Sequence, residues 1–271
     1  MKKILAILLA VVMLCALASC KKGEDSEVGE DRLELIDEEV YIDEETGDEF
    51  VYDVNEAGKY EIIGFTSKSN TAHKIEIPAA IDNVEVSGIG KSAFKANNQI
   101  TEVVIPDSIT YIGDLAFYGC LYLTTVEMPD SITELGVCAF YNCYALTTVK
   151  LSAGLEVISE SAFLNCGALE EITIPESVKT IEDGAFMFCT GLKEITIPES
   201  VLEIKDVAFY GDESLQKATL PANVGKLGKH VFNAANEEFT LVAPEESVAA
   251  KYAADNGYAF EKLVVETESE A

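Results

Sequence analysis

Apolar positions recur along the chain with a period far longer than that of a single helix or strand. Phe94, Phe117, Phe140, Phe163, Phe186, Phe209 and Phe232 are seven phenylalanines spaced 23 residues apart, a regularity that marks stacked structural repeats. The prolines keep one register as well: Pro106, Pro129, Pro175, Pro198, Pro221 and Pro244 differ by 23 or 46, with Ser152 filling the gap. Pro78 is displaced by five, which places a five-residue insertion around residues 81–85. In the unit at residues 169–189, Ile172 and Ile174 alternate with Glu171 and Thr173, the period-two pattern of a half-buried strand. Pro175 ends it, because proline lacks the N–H a ladder needs. Val178 and Ile181 then face inward on a second short extended stretch, and Ala185, Phe186 and Cys189 match one tight helical turn. A lone coil cannot bury this many apolar groups. Coils stacked at a strand spacing of about 4.8 Å share a continuous core, so the pattern predicts a solenoid, mostly β with short helical turns.

The ends depart from the pattern. Residues 50–54 and 60–65 alternate around Asn55 to Lys59, a hairpin signal with Gly58 available for positive φ. This predicts an N-terminal hairpin cap, with cap and first repeat over residues 50–97. Asp212 and Ala235 replace Cys and Val231 replaces Ala in the last units. After Pro244, residues 246–257 are rich in alanine and end on Gly257, which predicts a C-terminal helical cap within a strand-and-helix segment, residues 236–271.

The motif Leu-x-x-Ile-x-Ile-Pro-x-Ser-Val-x-x-Ile-x-x-x-Ala-Phe-x-x-Cys resembles the BspA-like class of leucine-rich repeat. The resemblance covers roughly residues 50–262, with six unbroken units at residues 98–235. It implies a leucine-rich-repeat solenoid. The family includes bacterial surface proteins, some of them adhesins or binders of host matrix, so the resemblance implies a role in protein binding or adhesion. Its motif residues are core positions, and no functional residue carries over.

The N-terminus supplies an address. Lys2 and Lys3 precede an apolar run from Ile4 to Leu17 and then Ala18-Ser19-Cys20, the layout of a signal peptide over residues 1–19. The run is shorter than the roughly 20 residues a membrane span needs. Leu17-Ala18-Ser19-Cys20 resembles the bacterial lipobox, which implies cleavage before Cys20 and its acylation, and so a lipid-anchored protein on the extracytoplasmic face of the cell membrane. Lys21 to Gly58 carries sixteen acidic and three basic residues, and residues 20–49 are expected to form an acidic tether, extended and solvated in its first half. The acidic stretch 43–49 lacks the alternating ligands of a calcium loop and is expected to be a solvated turn.

Charge and chemistry narrow the function classes. With 48 acidic against 19 basic residues and a net charge of -29, the surface repels phosphate backbones, so no nucleic-acid partner is expected. Cys120, Cys143, Cys166 and Cys189 share one repeat position. They read as small groups packed in a turn and bonded to backbone rather than as metal ligands, while Cys138 is the candidate for a disulfide to a neighbouring coil. His73 and His230 lie far apart along the stack, no nucleophile and base pair up, and no cofactor, metal or enzyme activity is expected.

Two surfaces remain as binding candidates. One is the outward strand strip: Glu102 and Val104, Thr125 and Glu127, Thr148 and Lys150, Glu171 and Thr173, Glu194 and Thr196, Lys217 and Thr219. The other is a ridge following each phenylalanine, Tyr118, Tyr141, Leu164, Met187 and Tyr210, with Tyr122, Tyr144 and Phe188 nearby. The ridge reads equally as core edge or as interaction surface. The expected partner is a host or neighbouring-cell protein, bound by a monomer. The alternatives are a glycan, or a cell-envelope scaffold without a specific ligand.

Overall fold

The computed structural model describes residues 39–264 apart from 234 and 237. The signal peptide, Cys20 and the first part of the tether lie outside the described residues. The described chain is a stack of coils built on parallel strand pairing. Residues 98–235 form units 1 to 6, each 23 residues long, and equivalent strands pair in a 23-residue register, as in Thr148 beside Thr125 and Glu203 beside Thr180.

At the N-terminal end, strands Glu49–Val54 and Tyr60–Thr66 form the expected antiparallel hairpin, with Gly58 at φ 72°. A further strand, Glu39–Ile42, pairs antiparallel with Glu49–Val54. Part of the stretch read as tether is therefore sheet, because Val40 and Ile42 alternate with Tyr41, whose ring packs on Phe50. The acidic stretch is a tight turn in which Asp43 accepts the N–H groups of Glu45 and Thr46. Its Asp48 is buried and held by His73 Nε2 at 2.9 Å, a bond that raises the histidine pKa. The five-residue insertion is a hairpin of Ala80–Ile81 against Val84–Ile89, turned through Asp82 and Asn83 at positive φ.

The seven phenylalanines form one buried column whose neighbouring rings stack at centroid distances of 4.8–5.5 Å. The column ends on Phe239 and Tyr252 of the C-terminal cap. That cap is the helix Val248–Asn256, capped by the Ser247 side chain accepting from Ala250 N at 3.1 Å and by Gly257 in the left-handed region. The strand Ala259–Lys262 then pairs with Thr240–Ala243. The tight turn of each unit is closed by hydrogen bonds three residues back, such as Met187 N to Gly184 O and Cys189 N to Phe186 O. Gly184 and Phe188 take positive φ there, as do Cys138 and Asn142 in unit 2.

Three ladders of backbone hydrogen bonds join the coils, and they do not run equally far. The turn-side ladder is continuous from Phe94 N to Ala116 O, through Phe140 N to Ala162 O and Phe163 N to Ala185 O, to Phe209 N to Val231 O. One strand ladder is interrupted between a single pair of coils, the other on both sides of residues 171–174. On one strip, Thr133 N reaches Thr110 O and Lys179 N reaches Glu156 O, but among the described residues no bond joins Glu156 N to Thr133 O. On the other, Thr147 N reaches Thr124 O and Gln216 N reaches Lys193 O, but the amides of residues 170–174 have no backbone partner among the described residues. The strand strips are consequently split into separate sheets, one ending at Glu134–Leu135 and one at Thr148–Lys150.

Local sequence explains the seam. In the N-terminal half the coils touch at glycines: a Cβ on Gly136 would stand 2.3 Å from the carbonyl carbon of Gly113. In unit 3 this position is Ser159, whose side chain cannot fit that approach and instead donates its hydroxyl to Leu135 O. Beyond it the position is Glu182 and then Lys205, which form an ion pair across the coils. Unit 3 also carries Ser152 where the others have proline, and its buried hydroxyl donates to Ile132 O at 2.6 Å. The close glycine approach is lost from unit 3 to unit 5 and returns in unit 6, where a Cβ on Gly228 would stand 2.4 Å from the carbonyl carbon of Lys205.

Candidate binding surfaces

The cysteine column is structural. Each Sγ donates to the carbonyl of a phenylalanine 26 residues earlier: Cys120 to Phe94 at 3.1 Å, Cys143 to Phe117 at 3.2 Å, Cys166 to Phe140 at 3.3 Å and Cys189 to Phe163 at 3.2 Å. Burial pushes the Cys120 thiol up to about 12 and the other three well above the ordinary value. All four are free thiols, so the expectation that Cys138 bonds a cysteine of a neighbouring coil is corrected: those sulfurs face backbone carbonyls in the core. Among the described residues no cluster of three or more His, Cys, Asp or Glu is placed to hold a metal ion. His73 sits in the N-terminal cap against Asp48, whereas His230 is exposed in unit 6.

The ridge divides into two groups. Tyr141, Leu164, Met187 and Tyr210 are buried and, with Leu115 and Cys138, form a second small core on the turn side. They are therefore packing groups and not a free surface. The residue after each of these side chains takes positive φ, as at Asn142, Asn165, Phe188 and Gly211. Tyr118, Tyr122 and Tyr144 remain accessible. Tyr122 and Tyr144 are 57% and 50% exposed, and Leu121 beside them is 40% exposed. Tyr118 is half-buried, stacks on Tyr141 at 5.1 Å and lies under the Lys95 ammonium at 5.5 Å. Asn165 donates to Asn142 Oδ1 at 2.9 Å and approaches the Tyr144 hydroxyl at 3.5 Å, which braces this patch across two coils.

The strand strip faces outward as the alternation predicts. Glu127, Thr148, Lys150, Glu171, Thr173, Glu194 and Thr196 are exposed, and Glu102, Thr125, Lys217 and Thr219 are partly so. Sequence reading missed that this strip is discontinuous. A groove of about 550 Å³ opens at the seam, lined by Thr148, Val149, Glu171, Ile172, Thr173 and Glu194 among others. Val149 is only partly buried there, whereas its equivalent Val126 is fully buried. A second groove adjoins it along Glu170, Lys193 and Gln216. The signal was present in Ser152 and Ser159, but only the glycine contacts show what those substitutions displace.

The architecture is similar to known proteins. A family model described as BspA type leucine rich repeat region matches six copies, over residues 87–186 and 156–253. A solved structure of a leucine rich cell surface protein from Faecalibacterium prausnitzii is 30% identical with a TM-score of 0.66, the match covering 78% of this chain and 55% of that one. A leucine-rich repeat protein from Eubacterium ventriosum is 21% identical with a TM-score of 0.59, covering 68% of this chain and 50% of that one. The chain thus spans about half the length of these two solved structures. No curated protein matches it.

Proposed function

From the fact that the chain belongs to the BspA-type leucine-rich-repeat family, we propose that it is a bacterial surface protein, lipid-anchored at Cys20, that binds another protein through the patch formed by Tyr118, Leu121, Tyr122 and Tyr144. The observation that carries this reading is the pair of half-exposed tyrosines on consecutive coils of a surface that is otherwise strongly acidic. Tyrosine combines a large apolar ring with a hydroxyl that tolerates water, which suits an interface core. The name of the Faecalibacterium relative, a cell surface protein, supports the location.

The anchor and the patch are tested separately. Mass spectrometry of the native protein finds Cys20 as the acylated first residue, and Cys20→Ala releases the protein from the membrane fraction. A mutant that stays fully membrane-bound removes the anchor from the reading. For the patch, soluble residues 21–271 are screened against arrays of extracellular proteins and glycans. Saturable binding to a protein is weakened about tenfold or more by Tyr122→Ser with Tyr144→Ser, while the melting transition barely moves. Saturable binding to a glycan alone replaces the partner class, and no saturable binding in either array points to a scaffold. Binding lost only on substituting Glu171, Glu194 and Lys217 moves the site to the strand face.

A further inference from the structure

At the seam, five consecutive amides, those of residues 170–174, lie in extended backbone without a backbone partner among the described residues. Glu170 O accepts only from Lys193 N, at 3.3 Å, and the carbonyls of residues 171–174 accept no backbone bond. Extended backbone beside an open groove is a template for one more strand, since only another extended chain presents donors and acceptors at matching intervals. The outer edge of Thr148–Lys150 faces the same groove, because that strand pairs only with Thr125–Glu127.

The side chains choose the occupant. Glu171, Glu176 and Glu194 line the groove and Glu170 its neighbour, while the single lysine there, Lys193, is already paired with Glu170. Val149 and Ile172 give the floor an apolar component. We propose that the seam docks an extended, positively charged peptide segment, which adds as a strand along residues 170–174 with its basic side chains facing Glu171, Glu176 and Glu194. This site is separate from the tyrosine patch and stands or falls without it.

The probe is an acetylated, fluorescent octapeptide of alternating lysine and threonine, titrated into the mature chain. Glu171→Lys with Glu194→Lys weakens its binding about tenfold or more, whereas Glu245→Lys with Glu246→Lys, outside the groove, leaves it unchanged. Methylating the peptide nitrogens on one edge removes donors but keeps the charge, and it weakens binding as strongly. In hydrogen exchange, amides 170–174 exchange fast in the free protein and slow by about tenfold or more with peptide bound. Equal affinity for the methylated peptide reduces the effect to bulk charge and overturns the proposal. So does slow exchange of amides 170–174 in the free protein, which would mean that the seam is closed in solution.

Discussion

Single residues in the core set how this protein responds to its medium. Asp212 occupies the position held by cysteine in the four preceding coils, is fully buried, and has neither carboxyl oxygen hydrogen-bonded. Burial pushes its pKa well above the ordinary 3.8. A carboxyl whose folded pKa is raised contributes its full stability below the unfolded value and loses that contribution as pH rises through the folded value. Asp212 therefore weakens the fold in the range above about pH 4, where an unfolded carboxyl ionises freely. Asp212→Cys restores the thiol that donates to a phenylalanine carbonyl, here that of Phe186. It should raise stability by about 1–3 kcal/mol at pH 7 and by less at pH 4, which thermal melting at the two values measures. The same change in melting temperature at both would show that the carboxyl titrates alike in the folded and unfolded chain, with no burial-raised pKa. The cysteine column was readable from sequence as small buried groups bonded to backbone. The fate of the following tyrosines was not, because whether Tyr141 packs inward while Tyr144 faces water depends on left-handed turns at residues such as Asn142, and asparagine permits that conformation without dictating it.

Among elements, the coil is the unit of both success and failure in reading the chain. The phenylalanine and proline registers give the stack and the insertion, and local alternation, alanine content and the glycines at 58 and 257 give both caps, since each depends on period or on residues with strong backbone preferences. The seam depends instead on a contact between neighbours: Gly136 lies against the backbone of Gly113, and Ser159 cannot repeat that approach. One unit read alone does not contain this information. Gly136→Ala would force a Cβ into backbone and should cost about 1–3 kcal/mol by overpacking. Ser159→Gly removes the obstruction and should extend the glycine mode by one rung, slowing exchange of the Glu156 amide. Unchanged exchange at Glu156, with the variant folded, would place the cause of the break at Ser152 instead. The outward strand strip shows the same division, because its exposure follows from alternation while its interruption at residues 171–173 follows from contacts between coils.

For the whole molecule, charge opposes compactness while stacking favours it. A net charge of -29 on 271 residues is offset only locally by cross-coil pairs such as Lys226 with Glu203 and Lys74 with Glu102. Salt screens the long-range repulsion more than it weakens these exposed pairs, each worth about 0–1 kcal/mol. The melting temperature should therefore rise between low and physiological ionic strength, and a fall would mean that the ion pairs outweigh the repulsion. The unbroken turn-side ladder, with the aromatic column behind it, has a mechanical consequence. It runs past a point where the two strand ladders have let go, so the backbone rungs there lie along one edge, like the spine of a book, and on one open side only side-chain bonds such as those of Ser152 and Ser159 still bridge the coils. Opening the pages at that point stretches no rung of the spine. Tension along the stack would be felt first as a change of angle between two rigid halves, long before any coil unwinds.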